Sequence, residues 1–512
     1  MTEWWSGLAR GVPSLVAAVG QTAIDWSPPS LVHLGIRLLG HHDKTFVVGV
    51  ELVVCAVAAA WLGIAGSRRR GLLLAGFVGF GVLGILAASR DPQAQVAQVV
   101  VACAVCAAIG LAVCTLLLLA APRAAAVGDP AMAPPPGPVR SQGPGGSRPG
   151  VAGSGSALVG RRGFLALAGG AGVAAVAFAA GGRRLVRQAA VATRRRVSLP
   201  PVSEPVAAPT TADTVAIPGV SPIVVPAKDF YRIDTRLLGP PTVDVDSWRL
   251  KLTGKVDHPQ VFTWDQLAAM PMVEEYVTLQ CVSNEVGGDL VGNASWRGVR
   301  LGDLLDAAGV HPDADQVVGR AVDGFTAGFP VAAVRDGRHA IVAIGMDGDL
   351  LPLEHGFPAR LIVAGLYGYV SGTKWLTEIE LTRFDSYDAY WITRGWDRMG
   401  PIQTQSRIDA IAPNPPVAGP CMLGGVAWAP TRGISKVEIQ VDSGPWAEAQ
   451  LAGALSNDTW RQWSYRWIAS AGRHLVRVRA SDGAGQVQSS VDAEPQPGPA
   501  TGYHTVGITV GS

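Results

Sequence analysis

The segment from Tyr276 to Gly288 joins a β-branched run to a glycine-rich turn and places one cysteine between them. Cys281 is therefore expected at the end of a strand, where active-site groups are commonly displayed. A thiolate at this position could bind a metal or act as a nucleophile. The partnered histidine of a cysteine protease and the closely spaced ligands of a zinc site are both missing near it in the sequence. The competing interpretation is a packing residue, since free cysteine is among the most buried residue types.

A second group of chemically active side chains surrounds the apolar run Leu361–Ala364. Its members are His355, Arg360, Ser371, Thr373 and Lys374. Guanidinium forks, ammonium groups and the backbone amides of glycine turns all bind phosphate oxygens. The group therefore suits a phosphorylated or otherwise polyanionic cofactor. The alternative is a solvated charged rim beside a sheet.

The elements around these residues read as mixed α+β. The runs Tyr276–Leu279 and Arg360–Val363 predict strands, and 301–308 predicts a helix. After residue 400, polar and apolar residues alternate between turn residues, as in 436–441 and 474–480. We therefore expect a C-terminal β-sandwich of roughly 100 residues.

The composition places part of the chain in lipid. Of the 512 residues, 48% are hydrophobic and 16% charged, and the mean hydropathy is +0.26. A formal charge of +2 provides no field that would gather nucleic acid, so nucleic-acid binding is not expected. Four of the six cysteines lie in apolar stretches, which excludes a disulfide framework.

Three apolar runs near the N-terminus have about the 20 residues that a helix needs to cross a bilayer. They are 45–66, 71–89 and 96–121. The shorter run 11–24 suits a tilted or interfacial helix as well as a span. A further run, 163–182, follows Arg161-Arg162-Gly163-Phe164-Leu165, which is typical of a twin-arginine export signal.

The basic residues predict the orientation in the membrane. The positive-inside rule places Arg68–Arg70 in the cytoplasm, and alternation then places everything after residue 182 outside. The arginines between 183 and 196 oppose this orientation, which an export signal read after folding could override. If 163–182 does not cross, the rest of the chain is cytoplasmic.

Several separate stretches resemble the catalytic domain of the sulfite-oxidase family of molybdenum enzymes. They are Phe230–Thr235, Cys281–Asn284, Trp296–Leu301, Asp323–Phe325, His355–Arg360 and Lys374-Trp375. The resemblance covers about 228–385 and continues into the C-terminal sandwich, which is similar to the immunoglobulin-like dimerisation domain of that family.

The fold class implied is multi-domain, with N-terminal transmembrane α-helices, a mixed α+β molybdopterin domain of sulfite-oxidase type and a C-terminal immunoglobulin-like β-sandwich. The expected boundaries are a transmembrane helical region at 1–121, a Pro/Gly/Ala-rich linker at 122–160, a twin-arginine-like segment with a transmembrane helix at 161–196, a Pro-rich linker at 197–227, the molybdopterin-binding catalytic domain at 228–395 and the dimerisation domain at 396–512.

The resemblance implies a mononuclear molybdenum–molybdopterin cofactor, with Cys281 as the one protein thiolate on the metal. A soft thiolate suits a soft, redox-active metal and must be deprotonated to bind it. Positions where relatives hold the pterin and its phosphate are matched by Tyr231, Arg232, His355, Arg360, Ser371, Thr373 and Lys374, and Lys228 falls where some relatives have a cofactor-binding asparagine. Arg232 is also expected to keep one positive charge at the catalytic site.

Two departures from the family pattern bear on the substrate. Glu285 stands where true sulfite oxidases have an arginine, and a carboxylate would repel sulfite. Phe325 stands about where they have a tyrosine near the metal. We therefore expect two-electron oxygen-atom transfer on an S-oxide or a related small neutral substrate. The alternatives are a sulfite oxidase or dehydrogenase and, from another class, a cofactor-free membrane-tethered binding or scaffold protein.

The expected partners are a small-molecule substrate, membrane lipid, an electron carrier of the membrane or the extracytoplasmic space, and a second copy of the chain. The sequence contains neither a Cys-x-x-Cys-His haem attachment nor an iron–sulfur run, so the source of electrons stays open. The apolar runs have few polar groups that could line a path, which argues against a transporter.

Overall fold

A computed structural model of the protein describes residues 5, 11–28, 31, 35, 43–120 and 161–512. The linker predicted at 122–160 lies outside these residues. The chain divides into a helical unit, which contains most of the residues before 187, and a larger unit made mostly of residues 187–512.

The N-terminal helices follow the predicted apolar runs. They are α1 (Leu15–Trp26), α2 (Asp43–Arg68), α3 (Arg70–Ala88), α4 (Val96–Ala120) and α5 (Arg161–Arg194). Within the described residues, three helices are long and apolar enough to cross a membrane, at Lys44–Arg68, Arg70–Ala88 and Val96–Leu119.

Two further apolar runs have different outcomes. Helix α1 has 12 residues, which at 1.5 Å per residue gives about 18 Å against a hydrocarbon core of about 30 Å. A span at 11–24 is therefore not supported. The run 163–182 lies within α5, and its crossing of the membrane and its export signal stay predictions.

The mixed α+β region consists of short elements in close succession. Its strands are β1 (Leu250–Gly254), β2 (Gln260–Phe262), β3 (Val273–Gln280), β4 (Val291–Arg300), β5 (Gln316–Ala321), β6 (Thr326–Pro330), β7 (Ala340–Met346), β8 (Asp349–Leu350), β9 (Arg360–Val363) and β10 (Leu376–Thr382). Its α-helices are α6 (Trp264–Ala268), α7 (Leu301–Ala308) and α8 (Gly368–Ser371), and 3₁₀ turns lie at Thr211–Asp213, Val331–Val334, Leu353–His355 and Ile392–Arg394.

These strands form two sheets. The first has the order β2-β1-β10-β5-β6, in which β1 and β10 are parallel and the other pairs antiparallel. The second has the order β3-β4-β7-β8, and β9 also pairs with β7. All seven residues of β7 are buried, because the strand is covered on both faces and its apolar run is continuous.

Helix α7 confirms the helix predicted at 301–308. It buries Leu301, Leu304, Leu305 and Ala308, the spacing of one helical face. It ends at Gly309, whose φ of 66° lies in the left-handed region that favours glycine at a helix C-terminus.

The C-terminal region is all β. Its strands are β11 (Gln405–Ala412), β12 (Gly419–Trp428), β13 (Ile434–Val441), β14 (Ala447–Glu448), β15 (Gln450–Leu451), β16 (Arg461–Ala469), β17 (Gly472–Asp482) and β18 (His504–Val510). They form two four-stranded antiparallel sheets, β11-β12-β16-β15 and β14-β13-β17-β18.

Both C-terminal sheets contribute to one hydrophobic core. Leu423 and Trp463 enter it from the first sheet, and Val437 and Val478 from the second. Cys421 is fully buried in the same core. Two sheets around one core are the arrangement predicted from the alternating pattern. The immunoglobulin-like type stays a prediction.

Candidate active site

Cys281 stands one residue beyond the end of β3, as the sequence predicts. Its N–H donates to the carbonyl of Leu290 at 2.9 Å, and its own carbonyl accepts from the N–H of Asn284 at 3.1 Å. The side chain of Asn284 accepts from the N–H of Leu290 at 2.8 Å. Backbone and side chain thus close the turn together and fix where the thiol points.

The sulfur of Cys281 is half-buried and has polar neighbours. Its Sγ lies 2.9 Å from the Oγ of Ser283. Burial raises the pKa of the Cys281 thiol, while the hydrogen bonds from Ser283 and the positive charge of Lys374 lower it in part. The thiol therefore lies within electrostatic reach of Lys374, one of the cations predicted around the run Leu361–Ala364.

The residue before the cysteine anchors the turn to the C-terminal sheets. Gln280 donates through Nε2 to Oε1 of Gln405 at 2.8 Å and accepts from Nε1 of Trp428 at 2.8 Å. Gln405 in turn donates to the carbonyl of Ala500 at 2.9 Å. All these side chains are buried. The network satisfies the polar atoms of these side chains and connects β3 to the C-terminal sheets by hydrogen bonds.

Arg360 is the most deeply buried cation of the site. It begins β9, is 7% exposed, donates through Nη1 to the carbonyl of His355 at 3.1 Å, and stacks over the ring of Trp296 with 4.9 Å from Cζ to the ring centroid. Burial lowers the pKa of Arg360 to about 10. Its Nε, also buried, has no hydrogen-bond partner among the described residues.

Lys374 and Arg232 share one carboxylate. The Oδ2 of Asp234 lies 3.3 Å from Nζ of Lys374 and 2.9 Å from Nε of Arg232. Burial lowers the pKa of Lys374 to about 8, Asp234 opposes that shift, and the charges of Arg360 and Arg232 add to it. The three cations therefore lie within electrostatic reach of one another, with a single carboxylate between two of them.

Gly356 allows two of these cations to approach each other. Its φ is 115°, and a Cβ built there would lie 3.1 Å from Cβ of Arg360 and 3.1 Å from both Cα and Cβ of Lys374. A side chain at this position would be strained and would push the two cations apart. The turn that follows His355 therefore requires glycine.

His355 is neutral in this environment. Burial and the charge of Arg360 lower its pKa to about 4. Its Nε2 lies 2.9 Å from the carbonyl of Ala227, and because a carbonyl only accepts, Nε2 carries the proton. The Nδ1 of His355 is consequently left as an acceptor.

Tyr231 lies within electrostatic reach of both Cys281 and Arg360. Its ring stacks on Phe230 at 5.1 Å between centroids. Burial and the proximity of Cys281 raise the pKa of the phenol, and Arg360 opposes the shift. The phenol is therefore protonated and can donate a hydrogen bond.

The remaining predicted residues are placed differently. Ser371 and Thr373 are buried, and their hydroxyls donate to backbone carbonyls, Ser371 to Tyr367 at 3.1 Å and Thr373 to Gly319 at 3.4 Å. They stabilise the loop that carries Lys374. Lys228 lies outside the cluster, because its side chain is 81% exposed and pairs with Asp229 at 2.8 Å.

The residues present fit a molybdopterin with its phosphate. Besides Nε of Arg360, the Nδ2 of buried Asn284 has no hydrogen-bond partner among the described residues. A buried cation and unsatisfied donors are costly unless an anion or acceptor joins them. A phosphorylated group would supply those acceptors, and the nearby thiol is a ligand for a soft metal.

Sequence reasoning missed Asp234 and Trp296 as parts of this site. Asp234 follows Arg232 by two residues, and the two side chains form an ion pair. This two-residue spacing is the sequence signal that could have indicated Asp234 as a partner of Arg232. Trp296 is fully buried in β4 beneath Arg360, and nothing local in the sequence indicates that contact.

Comparison with known proteins agrees with the site. Residues 237–391 match the family model of the oxidoreductase molybdopterin binding domain. The chain is similar to the uncharacterized oxidoreductase YuiH of Bacillus subtilis, with 32% identity over 163 residues that cover 32% of this chain and 79% of that protein. It is also similar to the mitochondrial sulfite oxidase of Rattus norvegicus, with 27% identity over 44% of this chain and 50% of that protein.

The match to the mitochondrial enzymes is partial, because the chain spans about half of their length. Among solved structures, the sulfane dehydrogenase SoxCD of Paracoccus pantotrophus is similar in fold, with a TM-score of 0.50 and 21% identity over 59% of this chain and 86% of that one.

Proposed function

The chain belongs to the sulfite-oxidase family of molybdopterin oxidoreductases, and from that premise we propose that it is a membrane-tethered oxidoreductase that transfers oxygen atoms to or from a small neutral substrate such as an S-oxide. One observation supports the proposal above the others. The thiol of Cys281 lies within electrostatic reach of Lys374 and Tyr231, and the neighbouring buried guanidinium of Arg360 has no carboxylate contact among the described residues.

Each residue of the site has a proposed role. Cys281 holds the metal, and Arg360 and Lys374 hold the phosphate of the pterin. The phenol of Tyr231 donates to the cofactor, and Nδ1 of His355 accepts from it. The molybdenum–molybdopterin group supplies the two-electron oxygen-atom transfer when bound. Ser371 and Thr373 act through the backbone of the loop before Lys374.

Asp234 supports a neutral substrate. It neutralises part of the charge of Arg232, the cation that could otherwise attract an anion, and its own side chain is 3% exposed. Glu285 is solvent-exposed, so its repulsion of sulfite is screened within about 10 Å by salt. Asp234 therefore disfavours an anionic substrate more than Glu285 does.

Sulfite oxidation is the second candidate, and the exposure of Arg232 favours it. The side chain is 36% exposed and uses Nε for Asp234. Its two terminal nitrogens have no hydrogen-bond partner within the described parts of the chain, and an oxyanion could bind them in a bidentate manner.

The membrane arrangement is part of the proposal. The apolar helices α2 to α4 tether the enzyme, the catalytic residues lie outside the cytoplasm, and an extracytoplasmic or membrane carrier exchanges electrons with the site. The C-terminal sheets form an immunoglobulin-like domain through which two copies associate.

The test compares two reactions on one purified protein. Detergent-solubilised enzyme is assayed for reduction of methyl phenyl sulfoxide with a viologen donor and for oxidation of sulfite with ferricyanide. We expect sulfoxide turnover to exceed sulfite turnover, Cys281→Ala to abolish it, and Cys421→Ala, which removes the buried cysteine of the C-terminal core, to retain it. Sulfite turnover alone would establish the second candidate. Absence of both reactions in the wild-type protein would favour the cofactor-free binding protein, and full activity of Cys281→Ala would exclude Cys281 as the metal ligand.

A further inference from the structure

The turn after β3 places a hydroxyl group beside the Cys281 sulfur. The Oγ of Ser283 lies 2.9 Å from Sγ. Because the N–H of Asn284 closes the turn on the carbonyl of Cys281 at 3.1 Å, the hydroxyl and the sulfur are held on the same side of it.

The direction of the side-chain hydrogen bond follows from the chemistry of metal binding. A cysteine that binds a metal is a thiolate and has no proton to give. The Ser283 hydroxyl must then be the donor and Sγ the acceptor. Across the described ranges, the Ser283 hydroxyl makes no other hydrogen bond that would compete for its proton.

We propose that Ser283 is a positioning residue that raises the reduction potential of the metal by donating a hydrogen bond from its Oγ to the Cys281 sulfur. This inference rests on the proposed role of Cys281 as the metal ligand. The hydrogen bond withdraws electron density from the sulfur, which becomes a weaker donor to the metal. The more electron-rich, reduced state of the metal is thereby favoured over the oxidised state.

Loss of the Ser283 hydrogen bond is expected to shift the reduction potential of the metal by a measurable amount. A hydrogen bond to a charged acceptor is among the stronger ones in proteins, and its loss should change the ratio of oxidised to reduced metal at a fixed solution potential about tenfold. For a one-electron step a tenfold change corresponds to about 59 mV. The potential should fall when the hydroxyl is removed.

The experiment is a redox titration of the molybdenum-loaded full-length protein, followed by the electron paramagnetic resonance of the metal and by its sulfur-to-metal charge-transfer absorption. Ser283→Ala removes the donor, Ser283→Gly removes it in a second way that a turn tolerates, and Ser283→Thr restores a hydroxyl. Ser386→Ala, which deletes an exposed hydroxyl bound to Asp385, is the matched control.

We expect Ser283→Ala and Ser283→Gly to lower the potential and to move the charge-transfer band to longer wavelength, because the sulfur becomes the better donor. Ser283→Thr and Ser386→Ala should match the wild type. A loaded Ser283→Ala or Ser283→Gly protein with an unchanged potential and spectrum would overturn the proposal.

Molybdenum content, measured on every variant, distinguishes a failure of the proposed function from a failure of the tuning role of Ser283. A wild-type protein without molybdenum would overturn the proposed function and this inference with it. A loaded wild type with both donor-deleting variants empty would overturn the tuning role alone, since the hydroxyl would then serve metal retention. Loading of all variants together with the expected shift would support both.

Discussion

Replacement of Asp234 by Asn tests how the site selects its substrate by charge. The carboxylate binds Nε of Arg232 at 2.9 Å and Nζ of Lys374 at 3.3 Å. Asparagine preserves the shape of the side chain and removes its charge. An anion on the terminal nitrogens of Arg232 would then no longer be repelled, and both cations would attract it more strongly.

The magnitude can be worked from these distances. An anion on the outer edge of the Arg232 guanidinium would lie about 7 Å from the Asp234 carboxylate, so at an effective dielectric constant of about 20 their repulsion is about 2.4 kcal/mol. Since Arg232 is 36% exposed, solvent and salt reduce this by about half. We expect about 1 kcal/mol, or roughly a fivefold gain in anion affinity.

The assay measures the inhibition constant of sulfate, a redox-inert anion, against sulfoxide reduction. Asp336→Asn is the matched control, because Asp336 pairs with Nε of Arg338 at 2.9 Å over the same two-residue spacing but outside the site. With equal molybdenum content, the inhibition constant should fall about fivefold in Asp234→Asn and stay constant in the control. An unchanged or higher constant in Asp234→Asn would refute the reasoning.

Three further results are expected. Burial lowers the pKa of Lys374 to about 8, so phosphate binding to cofactor-free protein should weaken as pH rises through about 8. Calorimetry should show a flatter pH profile of phosphate binding for Lys374→Arg, and equal profiles for the variant and the wild type would contradict this prediction. His339 contacts Asp458 at 2.7 Å, which raises the histidine pKa, so its stabilisation is present below the unfolded pKa and lost as pH rises through the folded value. Urea unfolding should show that His339→Ala costs about 0.5–1 kcal/mol at pH 6 and less at pH 9, and an equal cost at both would contradict it. Gln405→Ala should lower stability by about 1–3 kcal/mol in urea unfolding, because it leaves the amide of buried Gln280 unpaired, and a cost no larger than that of exposed Gln486→Ala would contradict it.

The elements that the sequence predicted best are those with a strong local pattern. Helix α7 has its four buried residues on one face and a glycine stop, and β9 coincides with the predicted run Arg360–Val363. The run 11–24 matches α1 (Leu15–Trp26) only in part, because an apolar run records composition and not the residues at which a helix begins and ends. The pairing of β1 with β10 is parallel across more than 120 residues, and no local pattern encodes it.

The site residues that could be predicted are those whose chemical type and position in a strand or turn are both evident in the sequence. Cys281 at a strand end and the pair Arg360 and Lys374 follow from residue type, strand pattern and family resemblance. Lys228 was expected to bind the cofactor only from the family resemblance, and its ammonium group pairs instead with the neighbouring Asp229 at the surface. The contact of Asp234 with Lys374 was not predictable, because 140 residues separate the two.

The most direct test of the central claim is the metal and pterin content of the purified, detergent-solubilised protein from a host that makes and loads the cofactor. Elemental analysis and the fluorescence of the oxidised pterin released on denaturation should give about one molybdenum and about one pterin per wild-type chain. Cys281→Ser should lose the molybdenum while keeping the fold, as judged by circular dichroism. A wild-type protein with neither molybdenum nor pterin would contradict the account, and Cys281 would then be a packing residue.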